Sequence, residues 1–93
     1  MILKTVTQKK YEKQDSTEND PYLVTDYYSD IEFINKILPL EHEDGKTENI
    51  RLHFKDGREI CLILRTLKKN AWIDNYHNVF LMNDEGKTIE RII

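Results

Sequence analysis

Residues 50 to 64 constrain the fold more than any other part of the chain. Their first half alternates between apolar and basic side chains, in the order Ile50, Arg51, Leu52, His53, Phe54 and Lys55, a period of two that is typical of a strand with one buried face. Asp56-Gly57 then supplies a hairpin turn, because glycine adopts positive φ freely. The run from 60 to 64 is apolar on both faces and predicts the most buried strand of an antiparallel sheet. The shared buried face is expected to consist of Ile50, Leu52, Phe54, Ile60, Leu62 and Leu64.

Turn signals recur downstream at intervals of about 10 to 12 residues. Lys68-Lys69-Asn70 and the run from 84 to 87 are turn-like, and they separate predicted strands at 71–76, 79–82 and 88–93. Residues 2–8 are rich in β-branched side chains and predict a further short strand. Strands at this spacing are typical of a small barrel or a strongly bent antiparallel sheet.

A helix is predicted ahead of these strands. Ser29-Asp30-Ile31-Glu32 has the Ser-x-x-Glu form of a capping box, in which the serine side chain accepts a hydrogen bond from an early helical N–H group. Apolar side chains then cover a broad face up to Pro39, which cannot continue a helix, and Asp20-Pro21 is an alternative start. The predicted fold class is therefore α+β, a single domain over residues 1–93 with a short helix packed on a bent antiparallel sheet or small barrel of four to five strands.

The chain has 93 residues, a single cysteine and a formal net charge of −3. This length suits one domain, and the polar stretches at 12–20 and 41–48 are predicted to be exposed acidic loops. Cys61 has no intramolecular partner, so a disulfide within the chain is excluded, and its apolar neighbours predict an inert buried thiol. No apolar run approaches the roughly 20 residues of a membrane helix, and the first residues lack the pattern of a signal peptide. We therefore expect a cytoplasmic protein that makes no membrane contact.

The sequence offers little chemistry for an enzyme. Its three glycines fall in turn-like contexts and form no phosphate-binding loop. His42, His53 and His77 lack the paired spacing of metal ligands, and Cys61 within an apolar run is a poor nucleophile. We therefore predict no catalytic residues, no cofactor and no metal site, and a small enzyme ranks last among the function classes.

Charge is divided unevenly along the chain. Residues 12–48 carry eleven carboxylates against three lysines, whereas residues 49–69 carry six lysines and arginines against two carboxylates. Such asymmetry can mark electrostatic recognition of a partner, or the two blocks can simply face each other or water. The candidate acidic surface consists of Asp15, Glu18, Asp20, Asp26, Asp30, Glu41, Glu43 and Asp44. The candidate basic stripe consists of Arg51, His53, Lys55, Arg58, Arg65, Lys68 and Lys69.

The pattern of residues 50–81 resembles Sm-like small β-barrels. The similarity is carried by Asp56-Gly57-Arg58 between an alternating and an apolar strand, and by His77-Asn78 before the apolar run at 79–81. The resemblance implies a helix followed by a small barrel, with Asn78 as the base contact of an RNA pocket. The sequence departs from the family's pattern at two places. Leu62 stands where the family has the glycine that lets its sheet bend sharply, and Ile89-Glu90-Arg91 stands near the position of the Arg-Gly pair that closes the family's RNA pocket. The layout is also similar to that of small Sm-like inhibitors of the transcription terminator Rho, which bind protein through an acidic surface.

We therefore expect an interaction module that binds a protein partner through the acidic surface. Such a surface can occupy a basic groove built for nucleic acid, so a small regulator or inhibitor of nucleic-acid machinery, of mobile-element origin, is a concrete form of this hypothesis. The alternative is a small barrel that binds RNA or DNA through the basic stripe. The negative net charge favours the protein partner, and the oligomeric state is left open.

Overall fold

The computed structural model describes residues 1–9 and 21–93, which form eight β-strands and no helix. The strands are β1 (Ile2–Lys9), β2 (Tyr22–Tyr28), β3 (Ile31–His42), β4 (Gly45–Phe54), β5 (Glu59–Lys68), β6 (Ala71–Asp74), β7 (Asn78–Met82) and β8 (Thr88–Arg91). The α+β prediction is therefore wrong, because the described chain is all-β. These ranges contain no helix with the length and apolar character needed to cross a membrane.

Two four-stranded antiparallel sheets make up the fold. Sheet A has the order β2-β1-β7-β8, and sheet B has the order β3-β4-β5-β6. Sheet B is a meander of consecutive strands, whereas sheet A joins the two ends of the chain through the pairing of β1 with β7. The predicted sheet or barrel of four to five strands is therefore too small, although the predicted strand at 2–8 is confirmed as part of β1.

The segment predicted as a helix is strand β3, and a β-bulge explains the error. A register shift between Ile31 and Phe33 inserts an extra residue into β3 relative to β4. Ile31 and Ile34 consequently pair with Phe54 and Leu52, which belong to the buried face of β4. Core-facing residues three positions apart imitate the i, i+3 spacing of an amphipathic helix. The prediction of a helix over 29–38 is therefore wrong.

The capping-box residues and the proline have different roles in this strand arrangement. Asp30, which follows Ser29, adopts a positive φ of 60° and turns the chain between β2 and β3. Its carbonyl oxygen accepts a hydrogen bond of 2.9 Å from the N–H group of Lys55, which ties the turn to the end of β4. Pro39 pairs with Glu48, and it is tolerated because β3 is an edge strand, where a missing N–H group costs little.

The predicted turns are confirmed, and one glycine is sterically required. Gly57, in the β4–β5 turn, has a φ of 90°, and both Lys69 and Asn70 adopt positive φ in the two-residue turn between β5 and β6. Gly45 begins β4, where an added Cβ atom would lie 1.9 Å from the carbonyl oxygen of Leu67. Glycine at this position therefore permits the close approach of β4 and β5.

The core lies between the two sheets. It consists of Leu3, Val79 and Leu81 from sheet A and Ile31, Ile50, Leu52, Phe54 and Leu64 from sheet B. The predicted buried set is confirmed for its β4 members and for Leu64, whereas Ile60 and Leu62 are only half-buried. The prediction that β5 is the most buried strand is wrong, because Cys61 and Ile63 alternate away from the core and are exposed.

Candidate protein-binding surface

A β-bulge in β5 divides the predicted basic stripe. A register shift leaves Leu64 as an extra residue opposite β4, so Arg65 pairs with Glu48 on the core side of sheet B, whereas Arg51 lies on the opposite face. Arg65 Nη2 donates to Glu48 Oε1 at 2.8 Å, and this hydrogen bond raises the pKa of Arg65. Arg51 Nε lies 3.0 Å from Glu59 Oε1. The two arginines therefore point in different directions, each beside a carboxylate.

The remaining cations of the stripe lie in or next to turns. Arg58 donates its backbone N–H and its Nε–H to the Asp56 carboxylate, at 2.9 and 2.6 Å. The hydrogen bond from the Arg58 backbone is the main cause that lowers the pKa of Asp56. Lys55 belongs to the same turn, whereas Lys68 and Lys69 lie at the other end of β5. Because β5 has ten residues, about 30 Å separates the two groups.

His53 and Asn78 are both engaged within the fold. The imidazole ring of His53 stacks on Phe33 with a centroid distance of 4.2 Å, and its Nε2 lies 3.2 Å from Asn35 Nδ2. Asn78 Nδ2 donates to the Ile93 carbonyl oxygen at 3.2 Å, which fastens the last residues to β7. The Asn78 amide group therefore has a structural hydrogen bond in the place where the resemblance to Sm-like barrels implies a base contact.

The predicted acidic residues lie in separate places. Asp15, Glu18 and Asp20 fall outside the described residues. Asp26 is on β2 and Asp30 follows in the β2–β3 turn, near the end of β4 that carries Phe54. The β3–β4 hairpin, at the other end of β4, carries three exposed carboxylates that we call the hairpin carboxylates: Glu41, Glu43 and Asp44. The ten residues of β4 put about 30 Å between these two groups, so the described acids do not form one surface.

One row of residues crosses all four strands of sheet B on the face opposite the core. Successive register pairs connect Leu40 of β3, Thr47 of β4, Thr66 of β5 and Ile73 of β6, and we call this set the outer row. Its end residues Leu40 and Ile73 are 45% and 52% exposed, and Ile63, the preceding residue on this face of β5, is 43% exposed. Thr47, between them on β4, is buried. Exposed aliphatic side chains gathered on one face form the kind of patch that marks an interaction site.

An open cleft of about 490 Å³ lies beside the outer row, between β1 and β2 of sheet A and β5 of sheet B. Its lining includes Thr5, Asp26 and Tyr28 from sheet A, with Ile63 and Tyr76 on the facing side. Thr5 is 1% exposed, and its Oγ1 atom has no hydrogen-bond partner within residues 1–9 and 21–93. Burial raises the pKa of Tyr76, and the nearby Tyr28 and Asp26 raise it further. Ile63 borders both the cleft and the outer row.

The described residues do not form a metal site. No group of three His, Cys, Asp or Glu side chains is placed to hold a metal ion there. His42, His53 and His77 lie on β3, on β4 and in the β6–β7 loop. Cys61 is exposed, so the prediction of a buried thiol is wrong.

Sequence reasoning missed the outer row, although part of its signal was present. Lys69 and Asn70 form a two-residue turn, and such a turn fixes the register of the strands that it joins. Counting back from this turn pairs Thr66 with Ile73, as the structure has it. The bulge at Leu64 has no comparable sequence signal, so the face on which this pair lies could not be derived.

Comparison with protein-family models, with curated proteins and with solved structures finds no match to this chain. The resemblance of residues 50–81 to Sm-like barrels therefore stays a prediction. Any functional conclusion must follow from the geometry of the outer row, the hairpin carboxylates and the cleft.

Proposed function

We propose that this protein is a non-catalytic module that binds a protein partner through the outer row and the hairpin carboxylates. The observation that supports this proposal most is the exposure of Leu40, Ile63 and Ile73 on three strands of one face. Apolar surface gains about 25 cal/mol per Å² when a partner removes it from water. Protein interfaces typically combine such an apolar centre with a polar rim.

The hairpin carboxylates supply the charged part of the rim. They follow Leu40 directly in the chain and are exposed, so they lie at the β3 end of the outer row. Asp44 also lines a shallow depression with Lys68 and Lys69, which makes this end of the rim mixed in charge. The partner that fits has an apolar patch bordered by lysine or arginine, and rim charges of this kind act mainly on the rate of association.

A small regulator or inhibitor of nucleic-acid machinery, of mobile-element origin, is the concrete form of this proposal. Proteins that handle nucleic acid carry basic grooves, and the hairpin carboxylates are complementary to such a groove. The cytoplasm is the compartment we propose, because the single exposed thiol of Cys61 suits a reducing environment.

Nucleic acid is the alternative partner, and the pairing of the arginines counts against it. Affinity for a phosphate backbone depends on cations that replace its counterions. Arg51 and Arg65 already lie beside carboxylates. Trp72, an aromatic ring suited to stacking on a base, is in contact with the Arg65 guanidinium, 4.2 Å from the ring centroid. These contacts reduce the cations and ring surface that a single strand could use.

Two matched isoleucine variants test the proposed surface. Affinity purification with the full chain as bait, followed by mass spectrometry, identifies the partner, and its dissociation constant is then measured for Ile73→Ser and Ile89→Ser. Both isoleucines are exposed on edge strands, Ile73 on sheet B and Ile89 on sheet A, at 52% and 58%. We expect Ile73→Ser to weaken binding at least tenfold, or about 1.4 kcal/mol, and Ile89→Ser to change it less than twofold. A larger loss of affinity for Ile89→Ser than for Ile73→Ser would refute the proposed surface.

A parallel titration tests the alternative. Labelled single-stranded RNA and DNA are titrated with the wild-type chain and with the triple variant Arg51→Ala, Arg65→Ala and Lys68→Ala. We expect no micromolar binding at near-physiological salt. Micromolar binding that weakens steeply as salt rises and is lost in the triple variant would refute the proposed protein partner and favour nucleic acid as the ligand.

A further inference from the structure

The cleft beside the outer row brings together a carboxylate and two phenol rings. Asp26 lies opposite Thr5 in the pairing of β1 with β2, and Tyr28 lies two residues further along β2. Tyr76, in the β6–β7 loop, is close enough to both for their charges to affect its ionisation. Among the described ion pairs none involves Asp26, so its carboxylate is available to a ligand.

These groups suit a cation better than an anion. A carboxylate forms short, charge-assisted hydrogen bonds with ammonium and guanidinium groups, and the faces of aromatic rings attract cations. Lys9 also lines the cleft. Its Cα atom lies four residues along β1 from that of Thr5, the residue opposite Asp26, or about 13 Å away.

We propose that the cleft binds the ammonium or guanidinium group of a lysine or arginine side chain that belongs to the protein partner. This inference rests on the proposed function, because Ile63 borders both the outer row and the cleft. A partner seated on the outer row therefore presents its neighbouring side chains to the mouth of the cleft. The apolar stem of such a side chain lies along Leu62, and its charged end reaches Asp26.

The volume of the cleft agrees with this occupant. About 490 Å³ lies within the range of about 300–1,000 Å³ found for ligand sites, and a long side chain enters such a site without displacing any core residue. The mixed lining matches a side chain that is apolar along its length and charged at its tip. A basic residue in the partner also agrees with the basic border that the hairpin carboxylates require.

Small-molecule probes test the cleft without the partner. N-acetyl-lysine methylamide is titrated into the ¹⁵N-labelled full chain, and N-acetyl-norleucine methylamide serves as the matched probe with a similar aliphatic stem and no charge. We expect the amide signals of Thr5, Asp26 and Tyr76 to shift with the lysine probe and not with the norleucine probe. Asp26→Asn should weaken binding at least fivefold. The control Glu85→Gln, which removes a carboxylate from the exposed β7–β8 turn, should leave it unchanged.

Cys61 gives an independent readout of occupancy. It is the only cysteine of the sequence and it lines the cleft, so its rate of alkylation by iodoacetamide reports whether the cleft is filled. We expect saturating lysine probe to slow alkylation at least twofold in the wild type, and norleucine probe at the same concentration to leave the rate unchanged. An unchanged rate, with signal shifts confined to the hairpin carboxylates, would place the cation site elsewhere and overturn the proposal.

Two free amines distinguish a partner side chain from a small molecule. Putrescine and spermidine carry the same ammonium chemistry, and micromolar binding of either, with no response to the lysine probe at millimolar concentration, would overturn the assignment to a side chain. Equal responses to lysine and norleucine, or equal affinity in the wild type and Asp26→Asn, would also refute it. None of these probes contacts the outer row as a partner does, so failure here leaves the comparison of Ile73→Ser with Ile89→Ser unaffected.

Discussion

Truncation of neighbouring residues in β5 gives a quantitative test of the fold. Leu64 is 2% exposed within the core, whereas Ile63 points to the opposite face and is 43% exposed. Leu64→Ala removes buried carbon atoms and leaves a cavity, so we expect a loss of about 2–5 kcal/mol in the free energy of unfolding. Ile63→Ala loses less burial than Leu64→Ala, leaves no core cavity and lowers strand propensity, so we expect a smaller cost of about 1 kcal/mol. Half-buried Leu62 should fall between these values.

Urea denaturation measures these differences directly. With a dependence of unfolding free energy on urea of about 1–3 kcal/mol per M, a loss of about 3 kcal/mol moves the midpoint for Leu64→Ala by roughly 1–3 M. The midpoint for Ile63→Ala should move by about 1 M or less. The order of the two costs follows from the bulge that separates Ile63 from Arg65. Equal losses, or a larger loss for Ile63→Ala, would refute the register of β5.

Three further substitutions test local features. Gly45→Ala should cost at least about 2 kcal/mol in urea melts, because the new Cβ atom would meet the Leu67 carbonyl oxygen at 1.9 Å. Ser29→Ala should change the free energy of unfolding by less than about 0.5 kcal/mol, because Ser29 caps no helix. A loss above about 1 kcal/mol would indicate that Ser29 caps a helix after all. Asp56→Asn should be less stable than the wild type at pH 7, and this difference should shrink as the pH is lowered below the unfolded pKa of Asp56. The hydrogen bonds from Arg58 lower the pKa of Asp56 in the folded state, so its contribution is present above about pH 3.9, the unfolded value, and is lost as pH falls through the lowered value.

The strands and turns of the second half could be predicted because their signals are local. Alternation at residues 50–55 and glycine at position 57 specify a hairpin whatever the rest of the chain does. Strand β3 could not be predicted from local signals, because its bulge places the core-facing residues Ile31 and Ile34 three positions apart. Helical and bulged-strand spacing are identical at that length, and only the long-range pairing with β4 decides between them.

The candidate site was harder to predict than the fold, for the same reason. The basic residues form a stripe only if β5 alternates without interruption, and the bulge at Leu64 sends Arg65 to the other face from Arg51. The cleft depends on three segments that are distant in sequence, those of Asp26, Ile63 and Tyr76. No periodicity within one segment carries information about such an arrangement, because it is set by the packing of the two sheets.

Hydrogen–deuterium exchange of the chain with its purified partner tests the central claim most directly. Docking on the outer row predicts slower exchange at residues 40–49, 63–67 and 71–74, which carry the row and the hairpin carboxylates. Exchange at β8, on the other sheet, and at the turn formed by residues 55–58 should be the same with and without the partner. Slower exchange at β8 or at 55–58, with 40–49 and 71–74 unchanged, would contradict the proposal that this face of sheet B is the binding surface.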